Sequence, residues 1–101
     1  MRSSDLTFAA AALQDQLRRR GTYDHVSVRP RAGHLNIEAA DADGQPSIVA
    51  RATPLGGVEY GLSFRTSGGR WEPMPVSGPL EEIAESAVGL LGPYLNPANL
   101  R

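Results

Sequence analysis

Apolar residues recur along this chain in two rhythms. From about Asp5 to Arg20 the spacing is helical: Leu6, Ala9, Ala10, Leu13 and Leu17 fall on one face. Ser3, Ser4 or Asp5 can cap this helix, and Gly21 can stop it. Arg18, Arg19 and Arg20 fill its last turn, where cations complement the helix dipole. Phe8 lies nearly opposite the apolar face, with Ala11 and Ala12 beside it. Beyond Tyr23 the period becomes two. Val26 and Val28 alternate with His25, Ser27 and Arg29, and Leu35, Ile37 and Ala39 with His34, Asn36 and Glu38. Ile48, Ala50 and Ala52 alternate with Val49 and Arg51, and Val58, Tyr60, Leu62 and Phe64 with Glu59, Gly61, Ser63 and Arg65. Such alternation describes strands with one buried and one wet face.

The segments between these runs, "RPRAG", "DADGQP" and "PLGG", are turn chemistry. A fifth extended piece, "RWEPMPV", follows "TSGG"; its two prolines confine it to a sheet edge or to irregular structure. "SGPLEEIAESAVGLLGP" returns to helical spacing through Leu80, Ile83, Ala84, Ala87, Val88, Leu90 and Leu91. Pro79 suits the first helical position, and Glu81 and Glu82 favour the N-terminal dipole. Gly92 and Pro93 are expected to end the helix, with one further turn through Tyr94 and Leu95 and a frayed tail over 96–101.

The predicted fold is α+β: a four- to five-stranded antiparallel meander between an N-terminal and a C-terminal helix. Each helix has an apolar stripe and the sheet has one apolar face. A two-layer sandwich with both helices on the same face satisfies all three. At 101 residues the chain is expected to form one domain.

The other sheet face is left open, and turn placement estimates what it holds. If "RPRAG" closes a hairpin with a four-residue loop, Arg29 pairs near His34, Ser27 near Asn36, and His25 near Glu38. If "PLGG" closes another, Arg51 pairs near Glu59. The open face then carries His25, Arg29, His34, Glu38, Arg51 and Arg65 as candidate binding residues, with Ser27, Asn36, Glu59 and Ser63 between them. His25 with Glu38 is the one plausible acid–base pair. A metal site from His25, His34 and Glu38 is disfavoured, because the two histidines are separated diagonally along the sheet. A solvated face of weak ion pairs is the simpler expectation.

Composition narrows the chemistry. There is no cysteine, which removes disulfides, thiolate metal sites and cysteine nucleophiles. All ten basic residues are arginine, so lysine Schiff-base chemistry and a phosphate-loop lysine are also excluded. "DADG" lacks the further oxygen ligands of a calcium loop, and no serine lies in a nucleophile motif. No catalytic, cofactor or metal constellation is expected. Net charge is −1, without the basic surplus usual in nucleic-acid binders. The order helix–strands–helix superficially resembles the double-stranded RNA-binding domain. That domain starts its last helix with basic residues, whereas "GPLEE" is acidic, so the assignment fails.

Two groups of apolar residues remain to be placed. Phe8, Ala11 and Ala12 either form an interface or, for Phe8, pack under "RWEPMPV". Trp71, Met74 and Val76 are expected to form a lid on the core. The expected function is therefore a small non-enzymatic interaction domain, a homodimer or an adaptor or regulator for another protein. The alternative is an open-sheet binder of nucleic acid or an anionic ligand through Arg29, Arg51 and Arg65; with Arg31, Arg70 and nearby Trp71 these could form a basic patch with a stacking residue. No cofactor and no membrane partner is expected. "LTFAAAALQ" lacks the basic region and cleavage pattern of a signal peptide, which points to the cytoplasm.

Overall fold

The computed structural model describes residues 3–20, 25–40, 44–66 and 68–95. Seven elements follow one another: α1 (Ser3–Arg18), β1 (Val26–Arg31), β2 (His34–Ala40), β3 (Pro46–Gly56), β4 (Glu59–Arg65), β5 (Trp71–Gly78) and α2 (Leu80–Leu95). The strands form one antiparallel sheet in sequence order, β1 to β5. α1 packs mainly on β1, and α2 on β4 and β5. Both helices join one core cluster with the same sheet face, as the patterning predicts.

The helix bounds differ modestly from expectation. α1 runs from Ser3 to Arg18, two residues earlier than predicted at each end. Arg20 closes a tighter turn behind it, donating its N–H to the Leu17 carbonyl at 3.2 Å. Gly21, Asp41, Asp43 and the tail over 96–101 lie outside the described residues. α2 does not stop at Gly92 and Pro93 but continues to Leu95.

Register is set by the first hairpin. Ala32 and Gly33 have φ of 50° and 82°, the positive pair that a two-residue type I′ turn requires. Arg31 therefore pairs with His34, Arg29 with Asn36, and Ser27 with Glu38. The expected pairings of Arg29 with His34 and of His25 with Glu38 are corrected by two residues: the loop is two residues long, not four. A shift of two keeps every side chain on its face. The β3–β4 hairpin is likewise tighter than expected. β3 extends to Gly56, and Arg51 pairs with Ser63 rather than near Glu59.

Two irregularities change which side chains point inward. The ladder shifts where Ile37 faces Ala50 and Glu38 faces Ile48, leaving Val49 as the extra residue. Val49 joins the core, and Ile48, expected inward, stands opposite Glu38 on the open face. A second shift, between Gly61 and Ser63, adjusts β5. Met74 and Val76 pack against the core, as expected of a lid, but Trp71 pairs with Arg65 and turns to the other face.

The core is built from Leu13, Leu17, Leu35, Ile37, Leu62, Ile83 and Val26, with alanines filling the gaps between them: Ala9, Ala10, Ala39, Ala50, Ala52, Ala84 and Ala87. The sheet edges are covered by different means. On β1, the Val28 N–H donates to Gln14 Oε1 at 3.0 Å, and Arg18 Nε donates to the Val26 carbonyl at 3.0 Å. Side chains of α1 thus take up two backbone groups of that edge, and Pro30 lacks a third donor. On β5, Pro73 and Pro75 remove donors from the opposite edge.

The open sheet face as a candidate functional site

The face away from the helices is read off strand parity and pairing. Across its middle run Arg29, Asn36, Arg51, Ser63 and Pro73, one from each strand. Toward the hairpin end lie Arg31, His34, Thr53 and Gly61; toward the other end lie Ser27, Glu38, Ile48, Arg65 and Trp71. Glu59 stands at the β3–β4 hairpin end. Four guanidinium groups thus face two carboxylates in a chain whose net charge is −1. The helix layer carries Glu81, Glu82 and Glu85 on α2. The helix layer also carries Arg18, Arg19 and Arg20 at the end of α1, with Arg19 paired to Asp15 at 2.9 Å, so both layers hold charges of each sign and what distinguishes the open face is its local excess of arginine.

Arg51 is the centre of this face. It sits on β3, the middle strand, and its guanidinium carbon lies 4.3 Å from the centroid of the Trp71 ring. At this distance the cation is attracted to the ring face and its freedom is reduced. Its Nε is buried and has no hydrogen-bond acceptor. Asn36, 8% exposed, is the one buried polar residue among those described and separates Arg51 from Arg29. Arg29 is engaged elsewhere, 3.5 Å from the Glu38 carboxylate, which is itself only 14% exposed. Among the described residues, Arg51 forms no salt bridge.

The two histidines stand at opposite ends of the first hairpin. His34 Nδ1 is hydrogen-bonded to Thr53 Oγ1 at 2.9 Å. Burial, and secondarily the charge of Arg51, lower its pKa from 6.5. His25 lies just before β1 and lines a half-open depression of about 240 Å³ with Ser27, Arg29, Glu38, Ala39, Ala40, Gly44 and Pro46. His25 and Glu38 do share a hollow, therefore, although Ser27 is the residue opposite Glu38. Among the described residues no three His, Asp or Glu side chains converge in a way that would hold a metal ion.

The structure brings Arg29, Glu38, Arg51 and Arg65 onto one face, as the alternation predicts. It keeps His34 apart from His25. Trp71 and Arg31 join Arg29, Arg51 and Arg65 on that face, as a basic patch with a stacking residue requires, although strand alternation alone does not place them. Trp71 was hidden by the irregular pairing of β5. Arg31 was assigned to a loop, though its odd parity with Arg29 was a usable signal. On the opposite side of the molecule Phe8 is 81% exposed, with Ala11 and Ala12 exposed beside it. Packing of Phe8 under β5 is thereby overturned: it points almost directly away from the core face of α1. No helix among the described residues is long and apolar enough to cross a membrane. No protein-family model matches the chain, and no curated protein or solved structure shows significant similarity to it.

Proposed function

We propose that this chain is a small non-enzymatic interaction domain, an adaptor or regulator working in the cytoplasm through a protein partner, with the open sheet face as its working surface. The observation that carries this reading is a cluster: four arginines and the single tryptophan gather on the one sheet face that no helix covers. Arginine and tryptophan are the residues most enriched at the energetic centres of protein interfaces. Both sheet edges are blocked, so a partner gains most by lying across the face rather than by adding a strand. The test is affinity capture from the host's own lysate, followed by mass spectrometry. Arg51→Glu is expected to lose the partner that the unaltered protein retains, and Phe8→Glu to keep it. Retention of every partner by Arg51→Glu would remove the face from consideration.

A second reading is favoured by Phe8. A phenylalanine 81% exposed beside two small residues suits close approach of a second α1 in a homodimer. Light scattering decides it. The expected result is a dimeric mass that Phe8→Glu halves; a monomeric mass in the unaltered protein would exclude it.

A further inference from the structure

We infer that the occupant of the open face is an extended acidic polypeptide segment, and that Arg51, stacked on Trp71, seats one of its carboxylates. The inference rests on the open face being the working surface. Arg51 has what such a seat needs. Its charge meets no carboxylate among the described residues, and its guanidinium carbon lies over the Trp71 ring, 4.3 Å from the centroid. A planar guanidinium held in place matches a carboxylate through paired N–H donors and loses little freedom on binding. The sole acidic residue beside it in the sheet, Glu38, is taken by Arg29.

Spacing supports the same occupant. Arg29 and Arg51 lie two strands apart, about 10 Å, and Arg65 lies diagonally about 8 Å from Arg51. Side chains on one side of an extended polypeptide repeat every ~7 Å, within reach of each guanidinium in turn. A single-stranded nucleic acid is the competing occupant, because its phosphates would meet the same arginines. It also needs free aromatic faces on which bases stack. Here Trp71 is covered on one side by Arg51, and Tyr60 and Phe64 of β4 face the core. No run of free aromatic rings lies on the face among the described residues. The polypeptide is the better match.

Trp71 is the only tryptophan and touches the proposed seat, so its fluorescence reads the site directly. The experiment titrates the full chain with a seven-residue glutamate peptide at low ionic strength. A glutamine peptide of equal length and a single-stranded thymidine oligonucleotide serve as comparisons. The expected result is a saturable emission change with the glutamate peptide alone, weakening as salt rises. Arg51→Gln should bind roughly tenfold more weakly, as loss of a charged hydrogen-bonded pair implies. Arg29→Gln, at a well-exposed position where folding is not at stake, should lose several-fold. No saturable change, or affinity indifferent to both substitutions, would overturn the inference. Tighter binding of the oligonucleotide would overturn it in favour of nucleic acid. Loss of a captured partner by Arg51→Glu with no response to the glutamate peptide would leave the working surface in place and reject only the acidic segment.

Discussion

The turn at Ala32 and Gly33 offers a sharp test of the register on which the open face depends. Ala32 is the only non-glycine with positive φ among the described residues. Left-handed backbone costs a residue bearing a Cβ about 1–2 kcal/mol, and asparagine bears it better because its side chain bonds locally. Ala32 is exposed, and a Cβ placed on Gly33 meets nothing within 4 Å, so substitutions here act through backbone conformation alone. Ala32→Asn creates the Asn-Gly pair that type I′ turns favour. It is expected to stabilise the protein by about 0.5–1 kcal/mol, raising Tm by about 2–8 °C in a domain of this size. Ala32→Gly should gain less, because glycine adds freedom to the unfolded chain worth about 0.4–1 kcal/mol. Gly33→Ala places a Cβ at φ 82° and should lose about 1 kcal/mol or more. Thermal melts followed by circular dichroism should rank Ala32→Asn highest, then Ala32→Gly, then the unaltered protein, with Gly33→Ala lowest. If Ala32→Asn lowers Tm, or Gly33→Ala leaves it unchanged, the two-residue turn is wrong. The hairpin would then close through Pro30 to Gly33 and oppose Arg29 to His34, keeping Arg29 on the open face but sliding it about 7 Å along the strand, out of line with Asn36 and Arg51.

Three further outcomes follow from packing and protonation. Ile83 is fully buried in a core where alanine fills much of the volume, so few neighbours can collapse into the space it leaves; Ile83→Ala should cost about 2–5 kcal/mol, read from urea unfolding, and a loss under about 1 kcal/mol would contradict its placement. Gln14→Ala strips the Val28 N–H of its acceptor and should cost about 1 kcal/mol in the same assay, whereas an equal cost from Gln16→Ala would show that the contact to β1 is not the reason. His34 has a folded-state pKa below its ordinary 6.5, so the unfolded chain takes up the proton more readily. Its contribution to stability is in place above pH 6.5 and is lost as pH falls through the folded pKa; the urea midpoint should drop between about pH 7.5 and pH 5, less steeply in His34→Gln, and parallel declines would refute the assignment.

What could be read from residues alone divides along physical lines. Alternation over Leu35 to Ala39 and Tyr60 to Phe64 identifies strands because a face half in water demands it. The outward direction of Phe8 follows from helical geometry, but its exposure depends on where β5 lies. "SIVARA" reads equally well with Ile48 or Val49 inward; only the pairing with Glu38 puts the extra residue at Val49. "RPRAG" contains both a proline and a glycine and is compatible with a two- or four-residue loop, and the choice turns on whether Ala32 accepts positive φ. The arginines and Glu38 share a face by parity, so most of the candidate surface is legible. The stack of Arg51 on Trp71 is not: it joins strands that are not neighbours, across an irregular pairing that local sequence does not encode.

The cover that α1 lays over the edge of β1 has a consequence for how the chain is made. Gln14 and Arg18 precede the strand whose backbone groups they take up. During synthesis the helix leaves the ribosome before β1, so its cover is at hand once the strand forms. Refolding from denaturant has no such order. A sheet that assembles ahead of helix docking presents Val28 N–H and Val26 C=O to any other strand nearby, in its own chain or another. Yield on refolding should therefore fall with protein concentration more steeply than yield from synthesis, even though the finished molecule covers these groups on that side.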